Sequence, residues 1–370
     1  MTNDPLELSM KYIDEYRDGV VAKALSNRIR AISTKKVRLM EICGTHTMAI
    51  FRHGIRSLLP DTVELLSGPG CPVCVTAMEE IDRAVKLAQS PGVIVTTFGD
   101  MIRVPGSESS LQQEQAKGAD VRMVYSTFDA LKFAALNPDN EVVFLGIGFE
   151  TTAPTVAAAI KTAHENRQSN FSVLSAHKLL PPAMDALLSS GDLGVDGFIC
   201  PGHVTTIIGT SSYETVVDEY HTPCVVVGFE PIDILQGILM LVEQREEGRA
   251  EVQIQYIRGV NPEGNLGALK ILDEVFTPCD SPWRGLGKIP GSGLAIREKY
   301  SAFDAKNRFE LDVPPAKEPP GCLCAEILRG AQKPPDCKLF RHACTPRTPV
   351  GPCMVSSEGT CAAYFKYHED

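Results

Sequence analysis

From Val37 onward, short β-branched runs alternate with stretches of helical period, a rhythm that few folds accommodate. The runs are Val37–Ile42, Val63–Leu66, Val93–Thr97, Val121–Tyr125, Val142–Ile147, Phe171–Leu174, Gly197–Cys200, Cys224–Val227 and Val252–Ile257. Between them, Met78–Leu87, Thr155–His164 and Ile232–Val242 repeat apolar residues at helical spacing. Such alternation predicts parallel sheets with helices on both faces. Thr76 with Glu79, and Ser211 with Glu214, have the spacing of capping boxes and are expected to start helices.

So many strands form either one large sheet or two smaller ones. The turn-rich Asn137-Pro138-Asp139-Asn140 favours two. A short echo agrees: Gly148-Phe149-Glu150 and Gly228-Phe229-Glu230 each follow a strand. The expected fold class is α/β, with two Rossmann-like parallel domains and a small, irregular C-terminal domain. The expected divisions are N-terminal helices in 1–34, a first α/β domain in 35–138, a second in 139–277, and the irregular domain in 278–370. From Pro278 the alternation stops and Pro and Gly become dense. That tail is too irregular for a large core of its own, and a bound metal would explain how it holds a shape.

With 370 residues the chain exceeds a typical single domain. Its 44% hydrophobic and 22% charged residues exclude a disordered chain. The net charge of −10 argues against a general nucleic-acid binder, which needs a basic surface. No apolar run approaches the ~18–20 residues that cross a bilayer. Met1 to Asp18 is rich in charge and lacks the apolar stretch of a signal peptide. The expectation is a cytoplasmic protein with no membrane contact.

Cysteine is the outlier. Six of the 12, Cys322, Cys324, Cys337, Cys344, Cys353 and Cys361, fall in the last 49 residues. In a reducing compartment such a cluster points to metal or redox chemistry rather than structural disulfides. The spacing is irregular and lacks paired C-x2-C units, which favours a four-thiolate [4Fe–4S] cluster held by loops, with zinc or free thiols as alternatives. Cys322, Cys337, Cys344 and Cys361 are the preferred ligands. Cys324 rivals Cys322, and Cys353 is a further substitute.

Ligands of open parallel sheets bind at the carboxyl ends of the strands. Those ends carry Cys43 and His46, Cys71 and Cys74, Asp100, Glu150, His177, His203 and Glu230, nearly all beside Gly. Purely structural loops would favour Asn, Ser and Gly without this bias. Cys71-Pro72-Val73-Cys74 is a C-x-x-C at a helix start, where free N–H groups and the helix dipole favour a thiolate. It reads as a redox pair or metal scaffold, with half a zinc site or inert thiols as the blander readings. Cys43 is either a third soft ligand on that edge or a buried structural cysteine. Glu150 and Glu230 are candidate acid/base groups or helix-capping charges, and His177 and His203 are candidate ligands or proton donors. No P-loop sequence occurs.

Five stretches together have a specific likeness. Met40-Glu41-Ile42-Cys43-Gly44-Thr45-His46-Thr47, Gly68-Pro69-Gly70-Cys71-Pro72-Val73-Cys74, Gly148-Phe149-Glu150-Thr151-Thr152-Ala153-Pro154-Thr155, Pro201-Gly202-His203-Val204 and Met354-Val355-Ser356-Ser357-Glu358-Gly359, followed by Cys361, resemble the hydrogenase maturation factor HypD family. The likeness covers nearly the whole chain in order. It implies a scaffold on which the Fe(CN)2CO unit of [NiFe]-hydrogenase is assembled. It also implies a small chaperone partner, HypC, and a cyanide donor, HypE, with HypF upstream. By resemblance, Cys43 is an iron ligand or partner-facing thiolate, Cys71 and Cys74 are the redox-active pair, and a C-terminal [4Fe–4S] cluster feeds electrons to them. Ala325 departs from the glycine expected after Cys324. The competing functions are a free-standing cluster-dependent thiol–disulfide oxidoreductase and a zinc-stabilised adaptor.

Overall fold

The computed structural model describes residues 13–191, 193–316 and 318–368. The expected N-terminal helices in 1–34 therefore lie partly outside the described residues. The described part is a short turn, Asp14–Tyr16, and a helix, Gly19–Ile32. The Asp18 carboxylate caps that helix by accepting the N–H groups of Val20 and Val21.

Nine parallel strands follow: β1 (Val37–Glu41), β2 (Val63–Ser67), β3 (Val93–Thr97), β4 (Asp120–Met123), β5 (Glu141–Gly146), β6 (Phe171–Ser175), β7 (Gly197–Pro201), β8 (Cys224–Val227) and β9 (Val252–Ile254). They form two sheets, in the orders β2-β1-β7-β8-β9 and β4-β3-β5-β6. Most central strands are buried along their whole length, because helices cover both faces, and this is why they read as continuous Val/Ile/Leu runs. The helices Met78–Ala88, Ala153–Glu165 and Pro231–Glu247 contain the three periodic stretches.

The sheets do not divide the chain at residue 138. The chain leaves the first sheet after β2, builds all of the second sheet, and returns at β7. The Asn137–Asn140 turn only joins the helix Thr127–Leu136 to β5. Strands choose neighbours by matching edges and faces, so a turn-rich break does not mark where a sheet ends.

Beyond 275 an antiparallel ribbon appears, β10 (Phe276–Trp283) and β11 (Gly287–Ile296), where no strand was expected. Its prolines hid it. A two-stranded ribbon leaves one side of each strand unbonded, so Pro278, Pro282 and Pro290 are tolerated. Trp283 is buried and donates its indole N–H to Ser292 Oγ at 2.8 Å.

Neither expected capping box starts its helix. Thr76 donates its hydroxyl to the Pro72 carbonyl at 2.7 Å, closing the short helix Pro72–Val75, and Ala77 precedes the helix Met78–Ala88. Ser211–Tyr213 is a 3-10 turn that runs on into the helix Glu214–Tyr220.

The tail is mostly turns with short helices, of which Cys324–Leu328 and Thr360–Tyr367 matter here. Ile327, Leu328, Phe340, Met354 and Tyr364 join the apolar cluster that contains Cys71, Cys74, Phe149 and Trp283. The tail thus borrows the core of the α/β body. Tyr364 rests on Phe51 with ring centroids 4.5 Å apart. Among the described residues no helix is long and apolar enough to cross a membrane.

Candidate metal centre

In the first sheet β1 lies between β2, which follows it in sequence, and β7, which returns on its other side. The gap between β1 and β7 is therefore the topological switch point, where open α/β sheets bind ligands. Cys43 sits there, just past the end of β1 and just before the helix Gly44–Arg52.

The loop carrying the C-x-x-C folds directly onto Cys43. Gly44 donates its N–H to Gly70 O at 3.0 Å, and Gly68 donates to Glu41 O at 2.8 Å. A side chain at Gly70 would fall inside the backbone of Ile42 and Cys43, so only glycine permits this approach. Pro72 opens the four-residue helix Pro72–Val75, and Cys71 Sγ accepts the N–H of Cys74 at 3.3 Å.

Glu41 holds Cys43 from below. Its carboxyl accepts the Cys43 N–H at 3.1 Å and the Thr47 hydroxyl at 2.5 Å, and burial pushes its pKa up to about 8. Glu358 arrives from the tail: its carboxylate accepts the Thr45 hydroxyl at 2.7 Å, and a methyl on Gly44 would stand 2.6 Å from its Cβ. Burial lifts the Cys43 thiol to about 12, with the Glu358 and Glu41 carboxylates adding to it, while the first-turn N–H groups of His46 and Thr45 oppose the rise. Cys74 is pushed well above the usual thiol range, again by burial. Both thiols therefore hold their protons until a metal or an electrophile displaces them.

His46 is buried and donates Nε2–H to Gly228 O at 2.8 Å, which leaves Nδ1 as a lone pair without a partner among the described residues. It stacks on Phe229 with centroids 4.9 Å apart, and His203 also meets that ring, tilted, at 5.1 Å. Burial lowers both histidines to about 4, so both rings are neutral at pH 7. Glu230, one residue on, accepts Arg17 Nε at 2.6 Å and Nη2 at 2.9 Å.

The remaining candidates stand apart. Glu150 accepts the Leu180 N–H at 2.8 Å with one oxygen, its other oxygen has no partner among the described residues, and burial raises its pKa to about 7. His177 lies at the end of β6, in the second sheet, against Phe276. Ser175 Oγ gives its proton to Leu294 O, so it accepts from His177 Nδ1–H at 3.1 Å. Burial lowers His177 to about 3.

All six tail cysteines line one narrow cleft, together with Ile327, Leu339, Phe340, Gly351 and Met354. Cys344 Sγ accepts the Val350 N–H at 3.3 Å. Cys324 and Cys353 have their sulfurs 2.8 Å apart, Cys322 lies within reach of Cys324, and Cys353 within reach of both Cys361 and Cys74. A continuous line of sulfur thus runs from Cys71 and Cys74 through Cys353 and Cys324 into the cleft. Among the described residues no three His, Cys, Asp or Glu converge on one point as ligands of a single ion would. A cubane cluster takes each thiolate on a different iron, and an apolar cleft of soft thiols with an N–H···S bond has the donor chemistry such a cluster uses.

Glu41, Thr47, Gly70 and Glu358 lie within the motifs that carry the resemblance, but the sequence reading assigned them no role of their own. An ionisable residue inside the apolar run Val37–Ile42 was the available signal for Glu41, since a buried carboxyl must have partners.

Fold and site define a class: a double-sheet α/β protein with a cysteine at the switch point, a C-x-x-C folded against it and a thiol-lined cleft behind. Comparison with known proteins gives the family. The HypD profile, described as "Hydrogenase formation hypA family", matches residues 20–368. The hydrogenase maturation factor HypD of Rhizobium leguminosarum bv. viciae is 50% identical over 368 residues, covering 97% of this chain and 96% of that protein. That of Azotobacter vinelandii is 51% identical over 367 residues, covering 97% of each. That of Escherichia coli K12 is 45% identical over 368 residues, covering 97% of this chain and 99% of that protein. The chain belongs to the HypD family.

Proposed function

We propose that this chain is a cytoplasmic scaffold for assembling the Fe(CN)2CO unit of [NiFe]-hydrogenase, with Cys43 holding the iron that is being built. The observation that carries the reading is the contact of the C-x-x-C loop with the backbone of Cys43, at the switch point and at one end of the sulfur line. The iron and its CN and CO ligands are cargo. Cys43 binds it as thiolate, losing its proton on coordination. HypC is the proposed chaperone partner and HypE, with HypF upstream, the proposed cyanide donor.

Reductive cleavage of a thiocyanate donor breaks one C–S bond, takes two electrons, and gives cyanide and a thiolate. The Cys71/Cys74 dithiol supplies both electrons, loses two protons and becomes a disulfide. Cys353 thiolate then attacks Cys74, freeing Cys71, and Cys324 attacks Cys353, freeing Cys74 and leaving a Cys324–Cys353 disulfide. Cys322, Cys337, Cys344 and Cys361 are left to hold a [4Fe–4S] cluster, whose chemistry when bound is one-electron reduction. The sulfur contacts support this division of labour: Cys353 faces both Cys324 and Cys74.

Infrared spectroscopy of the protein co-purified anaerobically with its small partner tests the scaffold role. Bands of iron-bound cyanide and CO are expected, and they vanish on Cys43→Ala. Bands at full intensity in that variant refute Cys43 as ligand. A four-iron protein that never shows the bands is the free-standing oxidoreductase instead.

A further inference from the structure

Arg284 lies at the tip of the β10–β11 ribbon, and its side chain is 1% exposed, far less than a lone surface arginine. It belongs to neither the switch-point site nor the thiol cleft, yet it is bonded to the segment between them. Its backbone N–H donates to Val75 O at 2.9 Å, and its guanidinium Nε donates to Thr76 O at 3.1 Å. Val75 and Thr76 are the two residues after Cys74, where the four-residue C-x-x-C helix ends, so both bonds fix the end of that helix. Trp283 adds an antiparallel bridge to Thr76. On the other side, Gly285 turns with φ +80°, and a Cβ there would stand 2.7 Å from Ala325 Cα. Ala325 follows Cys324. The ribbon tip is thus wedged between the helix bearing Cys74 and the helix bearing Cys324.

The guanidinium has a further partner, Glu318, which accepts from Nη1 at 2.8 Å. Nη2 is buried and has no hydrogen-bond partner among the described residues. A buried cation is tolerated only where it is paired and hydrogen-bonded, and two of the three acceptors that Arg284 uses, Val75 O and Thr76 O, belong to the segment that ends the C-x-x-C helix.

We propose that Arg284 is a positioning residue for thiol–disulfide exchange between Cys74 and the Cys324/Cys353 pair, an inference that rests on the relay reading above. The exchange needs the attacking sulfur in line with the bond it breaks, and neither thiol-bearing helix is long enough to fix that geometry by itself. Arg284 clamps one helix while the adjoining turn braces the other. The two sulfurs are thereby kept in register.

The test uses the cluster-loaded, anaerobic full chain with Cys71→Ser, in which Cys74 is the lone C-x-x-C nucleophile. Oxidised glutathione is the two-electron oxidant that forms the Cys324–Cys353 disulfide. Cys74 thiolate then attacks Cys353, releases Cys324 as thiolate and forms a Cys74–Cys353 disulfide, which peptide mass spectrometry follows in time. Adding Arg284→Met is expected to slow this step about tenfold or more. Arg284→Lys, which keeps the charge but loses the fork, restores part of the rate. Glu318→Gln leaves the rate unchanged, and so does the alkylation rate of the half-buried Cys279. Equal rates with and without Arg284 overturn the proposal while the relay stands. Absence of the Cys74–Cys353 disulfide in Cys71→Ser itself overturns the relay, and this inference with it. Should Arg284→Met not fold, Arg284→Lys decides alone: an unchanged rate refutes the positioning role and a slowed one supports it.

Discussion

Cys324 and Cys353 hold their sulfur atoms 2.8 Å apart, and Cys353 also reaches Cys74. Two thiols that face each other and a third are placed for exchange, whereas cluster ligands must each face a different iron. Substitutions should therefore separate the tail cysteines into two sets. Cys337→Ser and Cys344→Ser are expected to lose the cluster, read as iron per chain and visible absorbance. Cys353→Ser is expected to keep about four irons. It should still break reduction of the Cys71–Cys74 disulfide by an external electron donor, read by thiol alkylation. A Cys353→Ser protein that loses its iron would move Cys353 into the ligand set.

Gly70 meets backbone, not side chain, at Ile42 and Cys43, so a substitution there cannot be relieved by turning a rotamer. Gly70→Ala is expected to cost at least about 2 kcal/mol, the upper part of the range for overpacking. The midpoint of urea unfolding measures it. The same variant should expose Cys43 to alkylation, because the C-x-x-C loop is what covers it. Wild-type stability together with wild-type Cys43 protection would show that the loop is not seated there.

The alternation of runs after Val37 made nine parallel strands legible, and the strand ends brought Cys43, His46, Cys71, Cys74 and His203 onto one sheet edge. Which strands share a sheet was not legible. β7 pairs with β1 across more than 150 residues, and such a pairing leaves no local trace. The echo of Gly148-Phe149-Glu150 in Gly228-Phe229-Glu230 does mark equivalent places, the ends of β5 and β8, but the two glutamates meet different surroundings. Arg284 gave no sequence signal at all. It follows prolines that disguise its strand, and its partners are the backbone carbonyl of Thr76 and the carboxylate of Glu318, both distant in sequence.

Glu150 predicts a pH effect of definite sign. Burial raises its folded pKa to about 7 against an ordinary value of 4.5. Between those values the folded chain keeps a proton that the unfolded chain has lost, so this group stabilises the fold at low pH and its contribution is lost as pH rises through about 7. The buried His46, His177 and His203, with lowered pKa values, act the opposite way: their neutral forms favour the fold above about 6.5, and that is lost on acidification. The Glu150 contribution must therefore be read as a difference. Wild type minus Glu150→Gln, followed by urea unfolding from pH 4.5 to 8, should fall by up to about 3 kcal/mol as pH rises. Glu150→Gln can still accept the Leu180 N–H, so the comparison isolates the charge. A flat difference curve would place the carboxyl in contact with water.

Glu230 ends a strand of the first sheet near the switch point, yet its bonds describe a tether rather than an acid/base group. The helix Pro231–Glu247 already has its first turn closed by Asp233, which accepts the Glu230 N–H at 3.2 Å and pairs with Arg258 through both guanidinium nitrogens. The Glu230 carboxylate closes the other half of this capping box by accepting the Asp233 N–H, and it also takes Arg17 as a two-point ion pair, which raises the Arg17 pKa first through that hydrogen bond. Arg258 stacks over Tyr16 at 4.0 Å, so the same segment is held twice. The Arg17 and Glu230 side chains are 45% and 28% exposed, and such a pair contributes no more than about 1 kcal/mol. Glu230→Gln should therefore lower stability slightly, and less so at high salt, where the wild-type pair is already screened. Amide exchange in residues 13–18 should quicken, while infrared bands of iron-bound cyanide and CO persist. If instead those bands disappear and amide exchange in 13–18 is unchanged, Glu230 acts on the metal and not on the N-terminal segment.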